Sequence, residues 1–264
     1  IEDGNAEALE LFNWFKELTL RDAKPVYDLL GVQFDSYNGE SFYVDKTDRV
    51  VEELREKNLL TISDGASVVD LDEEKSGMPP CLILKKDGTT IYATRDIAAA
   101  LYRKETYDFD KCLYVVAYQQ DLHFRQWFKV IEKMGYPWYK DLVHVAFGMI
   151  SYEGQSLSTR KGHVLFLEDV LNMAIEKARA IIEERSPNLE NKDEVARQVG
   201  VGAVVYADLQ NGRIKDIDFS WDRVLSFDGE TGPYVQYTHA RCCSALRKAE
   251  GLEPAEPDYS ALSD

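Results

Sequence analysis

Lys111-Cys-Leu-Tyr-Val-Val-Ala117 is a continuous apolar run that decides the fold class of this chain. Such a run is typical of a strand that a parallel sheet buries on both faces. A helical pattern over residues 94–107 precedes it, and another over residues 122–134 follows it. A further strand is then predicted at Val143–Phe147. This alternation of strand and helix predicts an α/β fold built on a parallel sheet.

The flanking sequence predicts further elements of both kinds. Helices are expected at residues 6–18 with Asn5 as the cap, and at 22–30 with Gly31 as the end. Thr94 is placed to cap the helix that precedes the apolar run. The remaining predicted elements are helices at residues 46–57, 170–182, 195–207 and 233–249, strands at 61–62, 66–71 and 81–84, and a hairpin through Asp87-Gly88 that returns to Ile91-Tyr92.

Composition sets limits on the class of protein. The 264 residues are 45% apolar and carry a net charge of −16, so a nucleic-acid ligand would need a local basic strip on an acidic background. Neither an apolar run of about 18 residues nor a signal peptide marks a membrane or secreted protein. The four cysteines lack metal spacing, and Cys242 and Cys243 would diverge on a helix, which favours free thiols in a reducing cytoplasm. The start at Ile1, without methionine, indicates a fragment of a longer protein.

A polar segment, Gly148-Met-Ile-Ser-Tyr-Glu-Gly-Gln-Ser-Leu-Ser-Thr-Arg-Lys-Gly162, leaves the last predicted strand at its carboxyl end, where such sheets bind ligands. We predict a loop here. The hydroxyls and cations of its second half suit a polyphosphate, and a solvated turn with two surface cations is the alternative. Val164-Leu-Phe-Leu167 is expected to re-enter a core. The phosphate-binding candidates are Ser158, Thr159, Arg160 and Lys161.

Tyr92-Ala-Thr-Arg-Asp96 places a phenol and a carboxylate four residues apart, so both can point toward one ligand at a helix start. This pair suits a guanidinium, although a carboxylate near a helix amino terminus is also an ordinary stabilising feature. Tyr118-Gln-Gln-Asp-Leu-His-Phe124 follows the apolar run and predicts a ligand crevice. Lone histidines are more often structural than catalytic, and that alternative holds for His123 and for His144 inside its strand.

A third segment, Asp218-Phe-Ser-Trp-Asp-Arg-Val-Leu-Ser-Phe-Asp-Gly-Glu-Thr-Gly-Pro-Tyr-Val-Gln-Tyr-Thr-His-Ala-Arg241, is rich in aromatic residues. Core or hinge packing is the ordinary reason for such a run. It resembles almost residue for residue the W-x-R-x-L-S-F-x-G-x-T-G-P-Y-L-Q-Y-x-H-x-R segment of arginyl-tRNA synthetases, which are class I aminoacyl-tRNA synthetases.

Three other motifs resemble the same family, in the family's order. Tyr92–Asp96 matches Y-x-T-R-D, Gln119–His123 matches Q-Q-x-x-H, and residues 156–162 resemble K-M-S-T-R-K-G, the family's form of Lys-Met-Ser-Lys-Ser. The last match departs from the pattern, because Ser156 stands in place of the leading lysine and Leu157 in place of methionine. Lys161, Arg160 or a lysine outside this chain would then steady the pyrophosphate.

The resemblance implies an arginine–tRNA ligase that forms arginyl-adenylate from arginine and ATP with Mg²⁺ and then charges tRNA(Arg) in the cytoplasm. It assigns arginine to Tyr92, Asp96 and Gln120, and ATP to Asp121, His123 and Met149. It also implies the second half of a Rossmann-like nucleotide-binding domain followed by an α-helical region. The implied domains are 1–167 with an insertion at about 31–80, a helical stem-contact region at 168–226, and the first anticodon-binding helix at 227–264.

The family's first signature, H-[IV]-G-H, does not occur in this sequence. We therefore expect the isolated chain to lack aminoacylation activity and to depend on an amino-terminal catalytic half and on further anticodon-binding helices. Two other classes stay open, namely another class I adenylyl-transfer enzyme and a noncatalytic synthetase-like module that binds tRNA or a protein. No cysteine or histidine spacing indicates a metal site.

Overall fold

The structure is a computed structural model that describes residues 5–72, 77–152, 154–156, 165–224, 226 and 229–251. Its described residues form two compact units. The first unit comprises Ile1–Met149 together with Arg213–Ile217, and the second comprises Ile150–Gly212 together with Asp218–Asp264. Each unit has its own secondary structure and is described by itself.

The first unit contains helices and strands in the order that the sequence predicts. Short 3-10 turns at Glu40–Lys46, Tyr118–Gln120 and Pro137–Asp141 lie between them. The helices and strands are α1 (Ala6–Leu30), α2 (Thr47–Glu56), β1 (Leu60–Ser63), β2 (Ala66–Val69), β3 (Cys81–Leu84), α3 (Tyr92–Tyr107), β4 (Cys112–Ala117), α4 (Asp121–Lys133) and β5 (Leu142–Phe147).

Strands β4 and β5 form the predicted parallel pair. Their register runs from Cys112 opposite Leu142 to Ala117 opposite Phe147, and α4 is the connection between them. A parallel pair needs such a crossover, because the chain must return to the starting edge before the second strand begins. The strand–helix–strand prediction is confirmed at this point.

One face of the parallel pair packs on α4. Trp127 of α4 is fully buried, and its ring centroid lies 5.1 Å from that of Tyr114 on β4. Burial raises the pKa of the Tyr114 hydroxyl, so this phenol stays neutral. On the opposite face Leu113 and Val115 are 59% and 65% exposed. The prediction that β4 is buried on both faces is therefore wrong for the described residues, since α4 covers only one of them.

Strand β3 does not join the parallel pair. It is the third strand of an antiparallel sheet ordered β1-β2-β3, in which Leu60 pairs with Val69 and Val69 pairs with Cys81. Asp64 and Gly65 both have positive φ angles, 48° and 81°, which a two-residue hairpin turn requires. This tight turn makes β1 and β2 antiparallel. Only the later part of the predicted alternation therefore builds the parallel sheet.

The antiparallel sheet and helices α2, α3 and α4 share one hydrophobic core. The core includes Val50 and Leu54 of α2, Ile83 of β3, Ile97 of α3 and Ile131 of α4, each of them fully buried. The helix predicted at residues 46–57 is confirmed, and it packs through one apolar face. The core holds the amino-terminal turn of α3 in a fixed position, which matters for the site described below.

The predicted return of β3 onto Ile91-Tyr92 is only partly observed. The turn at Asp87-Gly88 forms, but the pairing ends in an isolated bridge between Leu84 and Thr90. Ile91 caps α3 through its extended backbone, and Tyr92 is the first helical residue. The prediction that Thr94 caps this helix is wrong. Thr94 lies inside the first turn, and its hydroxyl bonds to the Ile83 carbonyl oxygen instead of to the helix.

Helix α1 is one continuous element of 25 residues. Asn5 caps it as predicted, accepting a hydrogen bond from the Ala8 backbone N–H at 2.9 Å, and Gly31 ends it with a φ of 68°. The predicted break near residue 19 is wrong, since the Thr19 hydroxyl bonds back to the Phe15 carbonyl and the helix continues. Helix α1 has no buried residue.

The second unit is mainly helical, as predicted. Thr231 caps the last helix by accepting a bond from the Tyr234 backbone N–H at 3.3 Å. The sequence missed a small sheet of three strands and a short helix after it. The elements are β6 (Ile150–Tyr152), β7 (Gln155–Ser156), α5 (Leu167–Arg185), α6 (Lys192–Leu209), β8 (Ile217–Phe219), α7 (Trp221–Val224) and α8 (Gly232–Lys248), with the sheet ordered β7-β6-β8.

Two predictions about the polar segment need correction. Its first part is a β-hairpin of β6 and β7, in which Tyr152 pairs with Gln155, and not a loop. Phe166 and Leu167 are 66% and 48% exposed, so these two residues lie at the surface at the start of α5 and do not re-enter a core, while Val164 lies outside the described residues. Within the described ranges no helix is both long enough and apolar enough to cross a membrane.

Cys81 provides a test of the first unit's core. It is 2% exposed, and burial raises the pKa of its thiol to about 12. Because the thiolate is the reactive form, we expect iodoacetamide at pH 8 to leave Cys81 unmodified in the native protein. Cys242, which is exposed on α8, is the internal control and is alkylated first. Peptide mass spectrometry with and without denaturant checks this, and equal native modification of both thiols would contradict the packing.

Candidate functional site

The middle residues of Tyr92–Asp96 hold the start of α3 in place. The Thr94 hydroxyl donates a hydrogen bond to the Ile83 carbonyl oxygen at 2.5 Å, and Thr94 is fully buried. The Arg95 guanidinium contacts the Glu40 carboxylate, with 2.6 Å between Nη1 and Oε1. These contacts attach the first turn of α3 to β3 and to the 3-10 turn at Glu40–Lys46. Thr94 and Arg95 therefore have structural roles.

The outer residues of the same motif, Tyr92 and Asp96, lie one helical turn apart in the first turns of α3. Tyr92 is 70% exposed, and the Asp96 side chain is 38% exposed. Residues at i and i+4 share a helix face. The structure therefore presents a phenol and a carboxylate on one accessible face, as the proposed arginine contact needs.

The second motif meets the first through one short contact. His123 lies in the first turn of α4, and its Nε2 is 2.6 Å from Asp96 Oδ2. An ionised carboxylate only accepts hydrogen bonds, so the hydrogen in this contact sits on His123 Nε2. The two residues are 27 positions apart in the chain, and the contact connects α3 to α4.

Gln120 and Asp121 stand at the start of α4. Gln120 ends the 3-10 turn that follows β4 and is the residue before the helix, while Asp121 is the first helical residue. Asp121 Oδ1 lies 3.6 Å from His144 Nδ1 on β5. A carboxylate in the first turn also interacts favourably with the helix dipole. Both residues lie at the carboxyl end of β4, where an α/β sheet binds ligands.

The sequence predicted a structural role for His144 but not the contacts that it makes. Its Nε2 donates to the Val116 carbonyl oxygen at 3.0 Å, and its ring stacks on Phe124 with 4.3 Å between centroids. Its side chain is 7% exposed. His144 thereby ties β5 to β4 and to the start of α4. This is the structural role that a histidine inside an apolar strand suggested.

The end of β5 is held by hydrogen bonds to Arg213–Ile217, a segment that the sequence did not predict to lie there. The Gly148 backbone N–H donates to the Arg213 carbonyl at 2.8 Å, and the Met149 N–H donates to Asp216 Oδ1 at 2.7 Å. The Ile217 N–H donates to the Met149 carbonyl at 2.9 Å. Because Ala117 and Phe147 are register partners, Met149 leaves the sheet at the same edge as Gln120. No sequence motif predicts that this segment pairs with the end of β5.

The structure thus brings Asp96 and His123 into contact and places Gln120, Asp121 and Met149 at the carboxyl edge of the parallel pair. Ser158, Thr159, Arg160 and Lys161 lie outside the described residues, so the phosphate-binding assignment stays a prediction. In the part of the chain that the structure describes, no group of three or more histidine, cysteine, aspartate or glutamate side chains could hold a metal ion.

Parallel strands joined by a crossover helix, with polar residues at their carboxyl edge, define an α/β domain of the nucleotide-binding class. A model of the family described as tRNA synthetases class I (R), catalytic domain, matches residues 1–221 of this chain. The chain belongs to this family of class I arginyl-tRNA synthetases. The α/β fold class and the family resemblance predicted from the sequence are confirmed.

Individual relatives agree with this result. The arginine–tRNA ligase of Clostridioides difficile is 62% identical over 264 residues, which are 100% of this chain and 46% of that protein. The crystal structure of arginyl-tRNA synthetase from Plasmodium falciparum has a TM-score of 0.81 and 27% identity, covering 93% of this chain and 42% of that one. The Thermus thermophilus arginyl-tRNA synthetase has a TM-score of 0.78 and 25% identity, covering 99% and 53%. The chain therefore spans less than half the length of the first relative.

Substitution of Gly148 tests the close approach between the end of β5 and the segment Arg213–Ile217. A Cβ at this position would overlap the backbone carbonyl of Lys215, whereas one at Gly39 would meet nothing within 4 Å. We expect Gly148→Ala to destabilise the protein by about 2 kcal/mol or more. The control Gly39→Ala, at a φ of −73°, should stay within about 0.5 kcal/mol of the parent. Urea unfolding followed by tryptophan fluorescence measures both, and equal midpoints for the two variants would refute the close approach.

Proposed function

We propose that the full-length polypeptide is an arginine–tRNA ligase, which joins arginine to ATP as arginyl-adenylate and transfers the arginyl group to tRNA(Arg). The family match over residues 1–221 and the names of the relatives support this reaction. The activity belongs to the longer protein, because the chain covers only 46% of the first relative. The cytoplasm is the proposed location.

The observation that carries the proposal is the placement of Asp96. Its carboxylate is partly exposed on the first turns of α3 and uses one oxygen to contact His123. Each carboxylate oxygen accepts about two hydrogen bonds, so capacity remains for a guanidinium, whose planar fork matches a carboxylate. We assign the arginine side chain to Asp96 and Tyr92. Gln120, at the start of α4, is the third proposed arginine contact.

The nucleotide is proposed to lie along the carboxyl edge of β4 and β5. Asp121 and Met149 stand at this edge, and His123 was assigned to ATP by the resemblance alone. Ser158, Thr159, Arg160 and Lys161 are the proposed contacts for the β- and γ-phosphates. Mg²⁺ enters with the triphosphate, which supplies oxygen ligands of the kind that this ion prefers.

The proposed chemistry needs positioning more than acid–base groups. The arginine carboxylate attacks the α-phosphorus in line, the bond from that phosphorus to the bridging oxygen breaks, and pyrophosphate leaves. Charge develops on the departing phosphates, so fixed cations beside them lower the barrier. Arg160 and Lys161 supply those cations in the proposal, with Ser158 and Thr159 as hydrogen-bond donors.

The rest of the polypeptide is proposed to complete the sheet. Leu113 and Val115 project from β4 on the face that α4 does not cover, and both are more than half exposed. Apolar side chains on a parallel sheet are normally covered by helices on both faces. We propose that an amino-terminal catalytic half covers this face. The proposed division of this chain stays 1–167, 168–226 and 227–264, with carboxyl-terminal helices binding the anticodon.

The proposal that the catalytic site needs the amino-terminal half as well as this chain can be tested with the isolated 264-residue chain. We expect it to show no arginine-dependent exchange of pyrophosphate into ATP, because half of the proposed ATP site lies outside it. The full-length protein, assayed in parallel with tRNA(Arg) present, is the control. Exchange by the isolated chain at near the full-length rate would refute the proposed division.

The arginine assignment is tested by Asp96→Asn in the full-length protein. We expect the KM for arginine to rise by about 100-fold or more, since truncating one partner of a hydrogen-bonded charge pair costs roughly 2–5 kcal/mol. Pyrophosphate exchange at varied arginine concentration measures this.

The exposed Asp110→Asn is a matched control and should leave the arginine KM within about twofold of the parent, as for most surface changes. Binding of lysine and arginine with equal affinity by the parent protein would favour another class I adenylyl-transfer enzyme. Normal charging of tRNA(Arg) by Asp96→Asn would refute the assignment of arginine to Asp96, and absence of charging by the parent protein would favour a noncatalytic module.

A further inference from the structure

The contact between His123 and Asp96 joins the two proposed substrate motifs. Its length of 2.6 Å is short for an N–H···O hydrogen bond, and hydrogen bonds with a charged partner are shorter than neutral ones. Both side chains keep partial access to solvent, at 26% and 38% exposure. The pair is therefore neither a deeply buried structural bond nor a fully solvated surface pair.

Each partner is carried by a rigid support. On α3, the neighbours of Asp96 are held by the buried Thr94 hydroxyl bond and by the ion pair of Arg95 with Glu40. On α4, Phe124 follows His123 directly and is buried against the ring of His144. A hydrogen bond between two such fixed points restricts rotation of the Asp96 carboxylate about its last side-chain bond. The carboxylate plane is thus oriented before any ligand arrives.

Carboxylate orientation matters for a guanidinium ligand. The five N–H groups of a guanidinium lie in one plane, so two parallel hydrogen bonds form only when the carboxylate is correctly rotated. A carboxylate that is free to rotate loses part of its binding free energy to ordering. We propose that His123 is the positioning residue of the arginine site, and that it acts by fixing Asp96 through its Nε2–H. This inference rests on the proposed arginine function.

His123 then orients Asp96 and is not the ATP contact that the family resemblance implies. With its Nε2 hydrogen committed to Asp96, the imidazole presents only Nδ1 to any other group. A histidine that contacts ATP and one that orients Asp96 affect different kinetic constants. The first raises the KM for ATP when it is lost, and the second raises the KM for arginine.

Full-length protein carrying His123→Ala or His123→Gln tests this difference. For His123→Ala we expect the KM for arginine to rise about tenfold, the factor that corresponds to roughly one hydrogen bond to a charged group. The KM for ATP should change by less than about twofold, as for a residue without nucleotide contact. His123→Gln retains an N–H at a similar reach and should recover most of the arginine affinity. Lys129→Ala, further along α4, is the control variant.

A double-mutant cycle with Asp96→Asn decides whether His123 acts through Asp96. If it does, His123→Ala adds little to the arginine KM of Asp96→Asn, because the two changes remove the same interaction. Additive effects, a larger change in the ATP KM, or a fall in kcat alone would each overturn the inference. Loss of folding, monitored by circular dichroism, in both His123→Ala and His123→Gln would also overturn it in favour of a purely structural role. Failure of the parent protein to exchange pyrophosphate with arginine would instead refute the proposed function.

Discussion

The packing of Trp127 is the constraint on which the site depends. This side chain is fully buried, and its ring lies 5.1 Å from Tyr114 on β4 and 4.3 Å from Phe128. Protein interiors are close-packed, so a ring of this size allows α4 few orientations. His123 lies four residues earlier and therefore shares a face with Trp127. Once Trp127 is seated in the core, His123 is held on the same side of α4, where its ring contacts Asp96 of α3.

On the other side of the contact between His123 and Asp96, buried residues fix the orientation of α3 in a similar way. Ile97 is fully buried in the same core as Trp127, and Thr94 bonds to β3 from the first turn. Asp96 sits between these two buried residues in sequence, so its direction follows from theirs at about 100° per residue. Two of the five residues in Tyr92–Asp96 thus secure the helix, and two are turned toward solvent. The motif is short because one helical turn carries both the residues that secure the helix and the two that face solvent.

Local patterns were enough to predict most of the helices and the parallel pair. Gly31 has a positive φ angle after the helix that it was expected to end, and Gly135 has one after α4. Other features depend on residues far apart in the chain. Arg95 meets Glu40 across 55 positions, and Met149 meets Asp216 across 67. No local periodicity contains such pairings. Burial of β4 on both faces was predicted wrongly for the described residues, because an apolar run does not specify which elements cover each face of a strand.

The acidic composition of the chain limits how it could attract a polyphosphate. The chain carries 31 lysine and arginine residues against 47 aspartate and glutamate residues. Several of these cations already pair within the protein, for example Arg49 with Glu105 at 2.6 Å and Lys192 with Glu183 at 2.6 Å. A cation in such a pair must give up its partner before it can bind a phosphate, which reduces the net gain in free energy. Attraction of a polyphosphate to this chain therefore cannot come from its overall field, and it requires cations concentrated at one point. Arg160 and Lys161 are adjacent in sequence, and with serine at position 156 the proposal gives the role of the family's leading lysine to one of them or to a lysine outside this chain.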